Sequence, residues 1–144
     1  MSVVAWDGKS IAADKQATAG GLRHTTTKLR RLDSGEVLAW TGDQDSAGMV
    51  AKWYADGADP AKWPESQKDK DDWSRLIVAT ADSVKVFERQ PVFSLIEDQF
   101  LAWGSGRDFA IGAMARGASA KEAVEVAMKF DAGCGLGVDV VDLR

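Results

Sequence analysis

The residues able to do chemistry are few. His24 is the single histidine and Cys134 the single cysteine of the chain, too few to build a metal site of the His/Cys type. A Ser-His-Asp triad would have to use His24, in a loop just before a strand, where a solvated side chain is the simpler reading. Cys134 stands among glycines with no further histidine to deprotonate it, and reads as a small buried residue more readily than as a nucleophile. Gly104-Ser105-Gly106 lacks the lysine and length of a phosphate loop and the glycine spacing of a nucleophile elbow. Taken alone it is a tight turn.

One route to a nucleophile needs no histidine. An N-terminal residue carries its own base, the α-amino group, whose unperturbed pKa of about 7.7–8.0 is close to working pH. A hydroxyl on that residue gives its proton to the amine, directly or through water. A lysine ammonium nearby favours the ionised hydroxyl and the neutral amine, and an aspartate fixes the lysine. Ser2 is small enough for Met1 to be trimmed from in front of it, which would leave a serine at the front of the chain.

The elements that must position such a group can be read from turn signals and periodicity. Val3–Trp6 and Ser10–Ala13 flank Asp7-Gly8, a strong hairpin signal. Gly20-Gly21 marks a loop. A third strand is expected at Thr25–Leu32 and a fourth at Glu36–Trp40, with Asp33-Ser34-Gly35 turning between them. Met49, Val50, Trp53 and Tyr54 share a helical face, which predicts a helix over Asp45–Ala55 stopped at Gly57. Asp56–Asp72 reads as an exposed polar loop pinned at its ends by Trp63 and Trp73. Strands are expected at Arg75–Thr80, Val84–Glu88, Val92–Ile96 and Phe100–Trp103. A helix over Phe109–Ala115 follows, then a second one opened by the capping-box spacing of Ser119 and Glu122, with Ala123, Val126, Ala127 and Phe130 as its apolar face. Val138–Leu143 closes as a strand. Helices clustered between runs of hairpin-linked strands point to an α+β layered sandwich.

The 144 residues fit one domain over 1–144. With 45% hydrophobic and 28% charged residues, the composition excludes disorder and a disulfide scaffold. Eighteen basic and twenty-two acidic residues leave a net charge of −4, and no block of Lys and Arg suggests a nucleic-acid surface. No run approaches the ~18 apolar residues of a membrane span, and Met1–Trp6 lacks the shape of a secretory signal. A cytoplasmic protein without metal, cofactor, nucleic-acid or membrane partner is expected.

Four segments carry a resemblance, in order along nearly the whole chain. Asp7–Thr18 looks like the start of a proteasome β-type subunit. Thr27–Leu32 resembles its lysine-bearing strand, above all in the bacterial HslV peptidase. Gly104-Ser105-Gly106 before a small-residue helix, and Asp131-Ala132-Gly133-Cys134-Gly135, are similar to the family's Gly-Ser-Gly break and Asp-x-x-Ser-Gly turn. The resemblance implies an N-terminal-nucleophile (Ntn) hydrolase with a four-layer αββα sandwich of two antiparallel sheets. It makes Ser2 the nucleophile and its freed amine the base, Lys28 the activating cation, and Asp14 the group that orients Lys28. Ser105, Asp131 and Cys134 become a supporting network, and a backbone amide near Gly42 the oxyanion donor. The implied reaction is hydrolysis of a peptide bond, on a peptide or unfolded protein, by a threonine-peptidase-like mechanism. The implied partners are further copies of the chain in a ring and an ATP-dependent unfoldase. The residues themselves agree at two points. Asp14 ends a strand with apolar inward neighbours, where a carboxylate needs a cation, and Lys28 lies between Thr27 and Leu29, so its side chain leaves one face alone.

The sequence departs from the family pattern in several places. Serine replaces the usual threonine, Cys134 stands where a serine is usual, and Trp40-Thr41-Gly42-Asp43-Gln44 replaces a run of small residues. A second reading is therefore a catalytically inactive, proteasome-like subunit with a structural or assembly role. A third is an unrelated α+β binding domain whose six tryptophans line a ligand or partner surface.

Overall fold

A computed structural model describes residues 2–144; the expected loss of Met1 lies outside the described residues. Along the chain run β1 (Val4–Trp6), β2 (Ser10–Asp14), β3 (Gln16–Ala19), β4 (Leu22–Thr25), β5 (Leu29–Arg31), β6 (Val37–Gly42), α1 (Gln44–Ala55), β7 (Ser74–Ala79), β8 (Val84–Phe87), β9 (Phe93–Leu95), β10 (Leu101–Trp103), α2 (Arg107–Ala115), α3 (Ala120–Phe130) and β11 (Val138–Asp142). Among the described residues no helix is long and apolar enough to cross a membrane.

The strands form two antiparallel sheets and a small ribbon. The first sheet has the order β10-β1-β2-β11 and the second β5-β6-β7-β8-β9, while β3 and β4 pair with each other as a two-stranded ribbon. The first hairpin forms where Asp7-Gly8 predicts it, with Val4 opposite Ala13 and Trp6 opposite Ile11. Gly8 supplies the positive φ of the turn. The Asp7 carboxylate takes the N–H groups of Lys9 and Ser10 at 2.9 and 2.7 Å and reaches across to the Ala120 N–H at 2.8 Å, tying the hairpin to the start of α3. Burial alone would raise the Asp7 carboxyl, but these donors outweigh it and hold it below its ordinary value.

The apolar side chains sort into three layers of contact. Val3, Ala5 and Ala12, on one face of the first sheet, meet Ala110 and Met114 of α2 and Ala123, Val124 and Ala127 of α3. The opposite face, through Val4, Ile11 and Ala13, packs on Leu29, Val37, Ala39, Ile77 and Val86 of the second sheet. The outer face of that second sheet, Leu38, Leu76, Val78 and Phe87, is covered by Val50, Ala51 and Trp53 of α1 together with Trp63. Alternation along each strand thus sends successive residues to different layers. The result is a four-layer αββα sandwich.

Several elements depart from expectation. The single strand expected over Thr25–Leu32 is two pieces, because β4 ends at Thr25 and β5 begins at Leu29. Gln16–Ala19 and Leu22–Thr25, separated by Gly20-Gly21, form a hairpin the propensities did not reveal; His24 lies on its exposed second strand. In α3 the buried stripe is Ala120, Ala123, Val124 and Ala127, with Phe130 exposed and stacked on Phe109. Met49 likewise faces out of α1. The 56–72 segment is more ordered than a loop. It holds two 3-10 turns, Pro60–Lys62 and Glu65–Lys68. Trp63 pins it as expected, donating from Nε1 to the Arg89 carbonyl at 2.9 Å, but the deeper anchor is Gln67, which is fully buried.

Candidate functional site

The first hairpin ends in Asp14, which is wholly buried, and the chain returns through the β3–β4 ribbon to Lys28, which is 6% exposed. Lys28 Nζ lies 2.6 Å from Asp14 Oδ1 and donates to the Gln16 carbonyl at 2.8 Å. Asp14 is saturated. Its Oδ1 also accepts the Val3 N–H at 3.0 Å, and its Oδ2 accepts the N–H groups of Gln16 at 3.3 Å and Gly135 at 3.1 Å. A buried charge pair is tolerated only when its remaining lone pairs are met in this way. One carboxylate thereby joins four segments: the chain start through Val3, the ribbon through Gln16, the lysine, and the glycine turn through Gly135.

Ser2 precedes the residue held on Asp14 and is 4% exposed. Its carbonyl accepts the Gly106 N–H at 3.1 Å and the Ser105 hydroxyl at 3.4 Å. Gly104 is required here. Its φ is +99°, and a Cβ at this position would stand 2.2 Å from the Ser2 carbonyl oxygen. Read first as a tight turn, Gly104-Ser105-Gly106 is also a cradle for the start of the chain. The Ser2 Oγ itself is buried and has no hydrogen-bond partner among the described residues. Buried hydroxyls are ordinarily satisfied, which sets the Ser2 hydroxyl apart among the described residues.

Ser105, Cys134 and Asp131 lie beside this point. Ser105 Oγ is 4.0 Å from Cys134 Sγ, and the thiol donates to Asp131 Oδ2 at 3.5 Å. Asp131 Oδ1 accepts the Gly133 N–H at 2.8 Å. That amide, with the Ser105 hydroxyl and Cys134 thiol, holds the Asp131 carboxyl below its ordinary value. Burial pushes the Cys134 thiol up to about 12, with the Asp14 and Asp131 charges adding to the effect. Cys134 is therefore a neutral thiol at physiological pH, which agrees with reading it as buried and inert.

An open cleft of about 520 Å³ begins at Ser2 and Lys28. Gly42, at the end of β6, lines it with φ +106°. Gln16–Ala19, Thr26, Trp40–Asp45 and 71–73 complete the wall. All seven candidates read from the sequence thus fall in one region: Ser2, Lys28 and Gly42 on the cleft, and Asp14, Ser105, Asp131 and Cys134 behind it. Sequence reasoning missed the backbone partners, namely Gln16, Gly135 and Gly106. Two of these are glycines inside motifs already noted, where close backbone approach is the usual reason for glycine. It also missed the 71–73 wall, which no local pattern marks.

The sequence matches no protein-family model and no curated relative. The fold does match solved structures. Thiobacillus denitrificans BPH in complex with epoxomicin superposes with a TM-score of 0.73 at 22% identity, covering 100% of both chains. The fold is HslV-like. Eukaryotic HslV from Trypanosoma brucei gives a TM-score of 0.70 at 22% identity, over 99% of this chain and 98% of that one. An Anbu (Gly-1) mutant from Hyphomicrobium sp. strain MC1 gives 0.71 at 12% identity, over 99% of this chain and 82% of that one. The HslV-like architecture removes the third sequence-based reading, an unrelated α+β binding domain, and agrees with the layer order built above from side-chain contacts.

Proposed function

We propose that the protein is a peptide hydrolase of the N-terminal-nucleophile type, acting on peptides or unfolded protein after loss of Met1. The observation that carries this reading is the orphan Ser2 hydroxyl, buried on the cleft it shares with a lysine that is itself held on a buried aspartate. The freed Ser2 amine takes the Oγ proton, and Oγ attacks the peptide carbonyl carbon. The carbonyl oxygen, now negative, is met by a backbone N–H near Gly42. The C–N bond breaks, the amine returns the proton to the leaving nitrogen, and an ester remains on Ser2 Oγ. Water then gives a proton to the amine and attacks the ester, and Oγ recovers its proton as the acid leaves.

Lys28 supplies a fixed positive charge that favours the ionised hydroxyl. Asp14 positions Lys28 and, through the Val3 N–H, the chain start. Ser105 positions the Ser2 carbonyl, and Asp131 and Cys134 brace that turn. A homo-oligomeric ring, a cytoplasmic setting and an ATP-dependent unfoldase partner belong to the same reading.

The test combines the N-terminal mass of the native protein with turnover of a fluorogenic peptide. A chain starting at Ser2, with turnover lost in both Ser2→Ala and Lys28→Ala, is expected. A retained Met1 would leave no free Ser2 amine and favour the inactive assembly subunit. Undiminished hydrolysis in a folded Lys28→Ala variant would remove the mechanism.

A further inference from the structure

The charge of the cleft is one-sided. Asp43, Asp45, Asp71 and Asp72 all line it, and the one Lys or Arg in its wall is Lys28, already committed to Asp14. Among the described residues none of the four aspartates makes an ion pair. Asp43 spends one carboxylate oxygen on the Ser46 N–H, capping α1. Asp45, Asp71 and Asp72 are exposed, and among the described residues no hydrogen bond engages their carboxylates. The helix start accounts for Asp43 and Asp45, since acidic groups are favoured there. It does not account for Asp71 and Asp72, which belong to the segment before β7 and are brought beside that helix start by the Ser46 hydroxyl on the Asp72 carbonyl and the Asp43 N–H on the Trp73 carbonyl. Two half-buried indoles, Trp40 and Trp73, share the wall. Arg75 already lies 5.4 Å from the Trp73 ring centroid, with its charge answered by Glu88 at 2.8 Å.

Acidic groups alone do not make a site. Here a second observation points to an occupant: the wall that carries them also carries Ser2, whose buried Oγ lacks a partner among the described residues. A cleft lined by one sign of charge concentrates ligands of the opposite sign. Indole faces suit the methylene stem and the charged head of a long basic side chain.

We infer that the cleft selects peptides bearing a lysine or arginine side chain beside the bond presented to Ser2, with the cation facing Asp43, Asp45, Asp71 and Asp72 and its stem against Trp40 and Trp73. The cleavage part of this statement rests on the proposed function; the charge preference does not, so binding and turnover are measured separately. Acetylated, amidated tetrapeptides differing only in arginine, citrulline or glutamate at one position are titrated by calorimetry into the native protein, its Ser2→Ala variant and an Asp45→Asn/Asp71→Asn/Asp72→Asn variant. The arginine peptide should bind about tenfold tighter than its neutral citrulline isostere, and the glutamate peptide weakest. The preference should shrink as salt rises from about 50 to 300 mM. It should survive in Ser2→Ala and fall to about twofold or less in the triple variant. Equal binding of arginine and citrulline peptides, no binding of either, or a preference kept intact in the triple variant would overturn the inference. Absence of turnover in the native protein, with its arginine preference present, would count against the proposed function alone.

Discussion

The Lys28 ammonium and the Val3 backbone N–H share one atom, Asp14 Oδ1, at 2.6 and 3.0 Å. The cation and the residue after Ser2 are therefore fixed by the same oxygen. Any displacement of that oxygen moves the start of the chain and the Lys28 ammonium together.

Replacing Lys28 with methionine leaves the Asp14 charge buried with only its three backbone donors. Removing one partner of a buried pair costs about 3–5 kcal/mol, and the donors that remain place this case near the lower end. Denaturant unfolding should show a loss of about 3 kcal/mol, with the midpoint lowered and the slope unchanged.

Gly104→Ala should be among the most damaging small substitutions in the chain. The added methyl would meet the Ser2 carbonyl oxygen at 2.2 Å, and the φ of +99° is itself unfavourable for alanine. Gly21→Ala is the control. It has a φ of +81° but nothing within 4 Å, so it should cost only the left-handed penalty of about 1–2 kcal/mol. Thermal melts of the two variants, together with peptide turnover, separate the collision from the backbone term. Equal losses would mean that the cradle around Ser2 gives way easily.

Much of this site could be read from sequence because its parts are short-range signals. Asp7-Gly8 fixes the first hairpin, and the hairpin delivers Asp14 to a buried strand end. The Ser119/Glu122 capping box and the Gly104–Gly106 break are equally local. What escaped notice depends on distant partners. Gln67 looks like one more polar residue of a polar segment; only tertiary packing puts it next to Ser74 and Glu88. Phe130 falls on the helical period of α3 yet, at its last position, is exposed and stacks on Phe109, so the pattern overcounts the buried face. The alanines of Gln16–Ala19 and the mixed residues of Leu22–Thr25 have weak strand propensity, and their pairing is imposed by the Gly20-Gly21 turn.

Gln67 carries its own prediction. Its amide donates to the Ser74 and Glu88 carbonyls at 2.6 and 2.7 Å and accepts the Ser74 N–H at 2.9 Å. Gln67→Leu keeps most of the volume and orphans all three backbone groups. Each unsatisfied group costs about 1–3 kcal/mol, and nearby water should reduce the sum to about 3 kcal/mol. Limited proteolysis within residues 56–72 should quicken in parallel.

Cys134 should resist alkylation. With its thiol pushed up to about 12 from an ordinary 9.0, almost no thiolate exists at pH 8, and the thiolate is the reactive species. Native protein treated with iodoacetamide at pH 8 should stay unlabelled, while denatured protein should label fully. Above pH 9 the sign reverses against folding: the unfolded thiol ionises and the buried one does not, so this group's contribution to stability declines. The decline should vanish in Cys134→Ala. Rapid native labelling would mean an accessible, activated thiol.

Asp14 and Lys28 are also the two feet of the β3–β4 ribbon. Between them the chain leaves the sandwich, turns at Gly20-Gly21 and comes back, stitched near its base by the Thr26 N–H on the Lys15 carbonyl at 2.8 Å and by Lys15 Nζ on Thr27 Oγ1 at 3.2 Å. The base is clamped by charge and hydrogen bonds, whereas at the tip a Cβ on Gly20 or Gly21 would meet no atom within 4 Å and Leu22 is exposed. Insertions or deletions at the tip would reshape the mouth of the cleft, which Ala17–Ala19 help to form, without disturbing the ion pair. What the cleft admits can therefore diverge quickly around an ion pair that stays still.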